Sequence, residues 1–280
     1  MDNTQPLFAD DLPSSSVRIP SQPAVLVELF ELIESGDYDV RRVASVMSRD
    51  AGLVAMLFKL ASTPTYAKGR PLQSLDQVLQ VVGVRQSFNL ARALAIREAV
   101  GGDRQLMESF WERSNAIADY AATIAADRVM VCNIFPDLAY MAGMFQDCGV
   151  PLLAERFPNY RTLEALAARP PRPVCMMDED RRFSTDHCTV GYLVARHWRL
   201  PAFVAEAIRH HHELTDLGDH QVRSVVAILL LATEMHHRDQ RLACDEWLLV
   251  REAVVEELGI DLDGLDEYCE EIRDRCHCGQ

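Results

Sequence analysis

The sequence predicts an all-α protein. Apolar residues recur at helical spacing through most of the 280 residues, capping residues and glycines punctuate them, and no run alternates convincingly with period two. Apolar side chains make up 49% of the chain and charged ones 25%, the mix of a chain that buries a core. The length corresponds to about two compact units.

Residues 24–35 place Val25, Leu26, Leu29, Phe30, Leu32 and Ile33 on one stripe. Asp39 caps the next segment, with Val40, Val43, Ala44, Val46 and Met47 inward. Asp50 opens a third, carried by Leu53, Met56, Leu57 and Leu60. Ser74 and Gln77 form a capping box for 75–82, and Gly83 closes it. A helix over 85–100 stops at Gly101-Gly102. The segment 110–130 is long, and Ala118, Ala121, Ala122 and Ala125 allow another helix to approach closely. A short helix begins at Pro136 or Asp137 and runs to Phe145, and 169–173 is a proline-rich loop. Thr185 caps 186–198, and Pro201 sits at the first position of 202–212. Helices over 221–236 and 247–258 follow, then an acidic one from about Leu265.

Charge narrows the function classes. With 28 Lys and Arg against 42 Asp and Glu, the net charge is −14, which disfavours a nucleic-acid partner. The acidity is uneven. Residues 1–12 carry three acids and no base, 13–244 are nearly neutral, and 245–280 carry 12 acids and three arginines. Lys59 and Lys68 are the only lysines, so the nearly neutral stretch has no Lys-rich patch. The C-terminal stretch reads as a separate acidic surface, either a solvated face or a docking site for a basic partner. The acidic opening does not read as a signal peptide, and the longest apolar run, 225–232, is far short of the roughly 20 residues that span a bilayer. None of the eight cysteines forms a Cys-x-x-Cys pair, so they read as small buried hydrophobes in a reducing, cytoplasmic setting.

Candidate chemistry lies in the second half. Histidines cluster there as His187, His197, His210-His211-His212, His220 and His236-His237. Imidazole is the commonest metal ligand. Consecutive helical residues point about 100° apart, so three adjacent histidines on a helix cannot face one ion, and helix-end capping is the alternative for most of them. Asp147 precedes Cys148-Gly149, where a carboxylate serves as a local cap or a ligand. Cys276-His277-Cys278 offers three more donors at the C-terminal end. No nucleophile elbow, phosphate loop, His-Glu-x-x-His pair or dinucleotide fingerprint occurs.

Four stretches in order carry a resemblance over about 13–235. They are Ile19-Pro20 to Ala24; Ser48-Arg49-Asp50 through Ser62; Arg70-Pro71 to Leu75 and on to Arg85; and Thr185-Asp186-His187 to Gly191 with Leu200-Pro201 to Glu213. As a set they resemble the HDOD domain, a bacterial signalling module related to the HD and HD-GYP phosphohydrolases. The resemblance implies a two-lobed helical bundle whose second lobe is HD-like. It divides the chain into an acidic tail (1–12), an N-terminal lobe (13–104), the HD-like lobe (105–244) and an acidic helical extension (245–280).

Active relatives hold a metal with a histidine, a His-Asp doublet and a later aspartate, and the metal activates water against a phosphoester. Here Ser114 stands in place of the first histidine, Gln146-Asp147 in place of the doublet, and Thr233 in place of the distal aspartate. His187, followed by Gly191, and His211-His212-Glu213 resemble accessory metal positions of cyclic-di-GMP phosphodiesterases, although the Gly-Tyr-Pro expected next is absent. The resemblance therefore implies a degenerate pocket formed by Ser114, Gln146, Asp147, His187, His211, His212 and Thr233, with no catalytic residue and no cofactor. A retained divalent metal would fall to Asp147, His187, His211 and His212.

The expected function is a non-catalytic, cytoplasmic regulatory module that contacts other signalling proteins. Its pocket would suit a nucleotide or cyclic dinucleotide, with no nucleic acid or membrane partner, and a homodimer is an assembly such bundles adopt. The alternatives are a residual metal-dependent phosphohydrolase and a purely structural helical adaptor. The adaptor would make its contacts through Tyr66, Ala67, Lys68, Arg70 and Pro71.

Overall fold

The computed structural model describes residues 17, 19–61, 73–99, 104–162, 175–215 and 217–277. These hold fourteen α-helices and no strand. The first five are α1 (Ala24–Glu34), α2 (Val40–Met47), α3 (Ala51–Ala61), α4 (Leu75–Val82) and α5 (Val84–Ala99). Next come α6 (Arg104–Cys132), α7 (Pro136–Phe145), α8 (Gly149–Arg156) and a 3-10 turn (Pro158–Thr162). The remainder are α9 (Met176–Phe183), α10 (His187–His197), α11 (Ala202–Arg209), α12 (His220–Asp239), α13 (Asp245–Leu258) and α14 (Leu265–His277). The stretch with Tyr66, Ala67, Lys68, Arg70 and Pro71 lies outside the described residues, as do Gly101-Gly102 and 169–173.

Helices α1 to α5 pack on one another through the apolar stripes, with Leu29, Val43, Met47, Leu57 and Val78 fully buried. Polar side chains start these helices. Asp39 accepts from the Arg42 amide at 2.7 Å, Asp50 from Leu53 at 3.0 Å and Ser74 from Gln77 at 3.2 Å. The capping box is incomplete: Gln77 Oε1 accepts from the Gln73 amide at 2.7 Å, one residue ahead of its reciprocal partner.

The two lobes are locked by polar bonds around one indole. Trp198 is fully buried; its Nε1 donates to the Pro20 carbonyl at 2.8 Å, and its own carbonyl accepts from Arg92 at 2.5 Å. Asn89 of α5 donates to Asp137 of α7 at 2.9 Å, and the Arg199 guanidinium lies over the Phe30 ring.

In the second lobe α7 lies along α6, and α12 packs against both. Ala118, Ala121, Ala122 and Ala125 are buried, as their size suggested. A Cβ on Gly143 would stand 2.8 Å from Ala118 Cα, so glycine sets how closely α7 approaches α6. That approach delivers the turn after α7 to the middle of the bundle.

Three local expectations change. Asp186, not Thr185, caps α10, accepting from Thr189 N at 2.8 Å and Thr189 Oγ1 at 2.9 Å; a carboxylate bonded twice is the stronger cap. Pro201 is the N-cap of α11 rather than its first residue, and α11 ends at Arg209. His210, His211 and His212 therefore lie in a turn, not in a helix. The acidic extension keeps most of its carboxylates exposed and packs its apolar face on the bundle. Val254, Leu258, Leu265, Cys269 and Ile272 are buried where α13 and α14 meet α6 and α12, and Arg223–Glu257, Arg238–Asp266 and Arg273–Asp239 pairs line the seam.

Gly143→Ala tests the α6–α7 approach. At an open helical site this exchange stabilises by up to about 1 kcal/mol. Here the crowding of a close-packed core, about 1–3 kcal/mol, opposes it. Urea unfolding should show a net loss of stability.

Candidate functional site

The turn 146–148 between α7 and α8 carries Gln146, Asp147 and Cys148, all buried. A Cβ on Gly149 would meet the His187 carbonyl at 2.1 Å, so glycine there lets the start of α8 touch the start of α10. Gly191 likewise faces Ile208 at 3.1 Å and lets α11 close on α10. The turn after α11 then brings His211 and His212 over His187.

Asp147 caps neither neighbouring helix; its carboxylate faces the bundle interior. Oδ2 pairs with Arg113 of α6 at 2.5 Å and accepts from Gln146 Nε2 at 3.3 Å. Oδ1 lies 3.5 Å from His211 Nε2 and 3.6 Å from His187 Nε2. Burial by itself would raise the Asp147 pKa, but the Arg113 guanidinium and the two imidazoles hold it well below the usual carboxylate range. Gln146 Nε2 also donates to Thr233 Oγ1 at 3.2 Å.

The histidines are held from outside. His187 Nδ1 contacts Glu179 Oε2 at 2.6 Å, and this fully buried carboxylate also accepts from the His187 amide and the Tyr160 hydroxyl. His211 Nδ1 is 2.8 Å from the Ile208 carbonyl, and His212 Nδ1 is 2.8 Å from Glu246 of α13. Cys188 Sγ lies 3.4 Å from His187 Nε2 and 3.7 Å from His211 Nδ1. Burial opposes the Cys188 thiolate, yet the two imidazoles bring the thiol down to about 4. Against the same burial, Cys188 and Asp147 push His211 up to about 10.

A cleft of about 390 Å³, mouth included, opens over this cluster. Asp147, Gln146, His211, His212 and Thr233 line it, together with Arg113, His237, Glu246 and Trp247. His187 lies beneath it, and Ser114 is buried on α6 outside its lining. His237 is buried with neither ring nitrogen bonded, and burial followed by Arg113 lowers its pKa to about 4.

The positions that resemble primary metal ligands do not fit a hydrolytic ion. Arg113 already supplies the cation that Asp147 needs, and the Gln146–Thr233 bond joins two positions that would have to face a metal. Ser, Gln and Thr are poor anchors for a hard divalent ion.

Sequence reasoning overlooked Arg113, Glu179, Cys188 and Glu246, and named His237 only within the histidine cluster. Only Cys188 had a visible signal, its place beside His187; the others are made neighbours by packing. Capping does not explain His211 and His212, because a turn breaks the 100° spacing that kept adjacent histidines apart. At the C-terminal end, Cys276 packs on Thr123 at 3.0 Å, whereas Cys278 lies outside the described residues.

Arg113→Met leaves the Asp147 carboxylate buried without its guanidinium. Chemical denaturation should show a loss of roughly 3–5 kcal/mol. Adding Asp147→Asn should recover part of it, and simple additivity of the two changes would show that the pair is not coupled.

The HDOD domain model matches residues 19–214. The fold matches an HDOD domain protein of unknown function from Geobacter sulfurreducens, with TM-score 0.67, 22% identity and 94% of each chain covered. It also matches a provisionally named phosphohydrolase from Shewanella amazonensis, with TM-score 0.68, 19% identity and 92% of each chain covered. An uncharacterized protein from Treponema pallidum is 23% identical over 203 residues, which is 70% of this chain and 38% of that protein. This chain thus spans well under half of that curated relative. No helix among the described residues is long and apolar enough to cross a membrane. The ordered stretches, the two-lobed helical fold and the matched domain agree: the chain belongs to the HDOD family.

Proposed function

We propose that this protein is a non-catalytic signalling module. It acts through contacts with other signalling proteins and through a phosphate-bearing, nucleotide-like ligand in the degenerate cleft. The observation that carries this reading is the Arg113–Asp147 pair, which puts a fixed guanidinium on the carboxylate retained from the primary ligand set. A fold can keep its shape after losing its chemistry, because a site depends on a few side chains and the fold on many.

The cleft supports ligand uptake. Arg113, His212 and His237 offer donors to a phosphate, and Leu230 and Trp247 provide an apolar wall for a base.

Isothermal titration of the full chain with guanine mononucleotides and cyclic dinucleotides tests the ligand. At least one of these nucleotides should give heat at micromolar protein, weakened about tenfold or more by His237→Leu (about 1.4 kcal/mol). Absence of heat with every nucleotide would remove the ligand from the proposal. With Mn, Fe or Zn added, phosphomonoesters and phosphodiesters should not be turned over. Turnover that disappears in Asp147→Ala would make the protein an enzyme instead.

A further inference from the structure

Helix α13 lies beyond the residues matched by the HDOD model and packs one side on the bundle. Trp247, Val254, Val255 and Leu258 are buried there, and Glu246 and Trp247 line the cleft. A surface helix needs one apolar stripe, and this one is complete without Leu248 and Leu249. Both leucines point outward, 62% and 86% exposed. A single exposed leucine needs no explanation. Two side by side, framed by charge, form a small apolar patch with a polar rim, the layout of a contact surface.

At about 100° per residue, Glu252 and Glu256 fall between the two leucines on the outward face. Both are exposed, and neither has an ion-pair partner among the described residues. Spaced i, i+4, the two carboxylates repel one another until a cation meets them. Nearby bases are engaged elsewhere: Arg223 holds Glu257, Arg273 holds Asp239 and Arg275 holds Asp127. Arg251, the one base in α13, stands about 60° round from Leu248, on the side away from Leu249. A second copy laid on this face by two-fold symmetry would bring the same carboxylates together. Anionic lipid or nucleic acid would likewise meet its own charge. Complementarity selects an apolar stripe edged with lysine or arginine.

We propose that the outward face of α13 docks a basic amphipathic helix of a partner protein, its apolar stripe on Leu248 and Leu249 and its cations on Glu252 and Glu256. The partner helix would lie along α13, as in coiled coils, where flanking ion pairs set the choice of partner. Its seat is the back of the helix whose front walls the cleft, so α13 belongs to both surfaces. The inference deepens, and rests on, the reading of this protein as a module that contacts other proteins; it requires no nucleotide in the cleft.

The probe is a synthetic peptide of about 18 leucines and lysines, long enough to hold a helix, with leucines at i, i+3, i+4 and i+7. Fluorescence anisotropy with the full chain should give micromolar binding that weakens as salt rises. Leu248→Ser with Leu249→Ser should weaken it about tenfold or more. Glu252→Lys with Glu256→Lys should abolish it and transfer affinity to a leucine–glutamate peptide of the same pattern. All four side chains are exposed, so circular dichroism and the thermal midpoint should hardly move. Carbodiimide coupling should join peptide lysines to Glu252 and Glu256. Equal binding by a scrambled peptide, unchanged affinity in either double variant, or coupling confined to other carboxylates would each overturn the proposal. A dimer in sedimentation that Leu248→Ser with Leu249→Ser dissociates would do so too, and would assign the face to a second copy of this chain. Failure of the peptide to bind removes this face without touching the nucleotide titrations, which read the cleft alone.

Discussion

A carboxylate at the centre of a helical bundle needs a positive charge beside it, since an unpaired buried ion costs several kcal/mol. Asp147 is that carboxylate, and Arg113 meets it. The pair constrains much of the second lobe. It requires α6 to present Arg113 at a fixed height, and α7 to end where its turn can drop Asp147 inward. The Gly143–Ala118 approach supplies the second condition. A guanidinium in this position supplies the positive charge that the buried carboxylate needs.

Around this pair the remaining side chains sort by distance. Gln146 and Thr233 bond to each other and seal the primary positions. His187, His211 and His212 lie on the far side of Asp147, each braced by an oxygen. The braces come from α9, from α11 and from α13, elements well separated in sequence. One of them, Glu246, belongs to the acidic extension that lies beyond the matched domain. The extension thus contributes a wall and a hydrogen-bond acceptor to the cleft, as well as an apolar seam to the fold.

The fold is shared with chains only 19% and 22% identical, and within one fold chemistry resides in a few side chains. In this chain those side chains are a polar set around Asp147. Arginine faces the retained aspartate, glutamine and threonine occupy the neighbouring positions, and a cysteine adjoins the inner histidine.

The helices were legible in the sequence because apolar spacing and capping residues act locally: Asp39, Asp50 and Ser74 cap as their positions suggested. Ser114, Gln146 and Thr233 could be named from the sequence one by one, as the positions where the resemblance implies metal ligands. The site itself was decided by tertiary structure. The 100° rule separates adjacent histidines only while the chain is helical, and α11 ends one residue before His210. Arg113, Glu179 and Glu246 reach the cluster across 34, 8 and 34 residues of sequence, distances over which only packing determines proximity. By itself the sequence determined an all-α chain and the caps of its helices. Folding decided which charge neutralises Asp147 and which imidazoles converge on it, because those depend on long-range contacts that no local periodicity encodes.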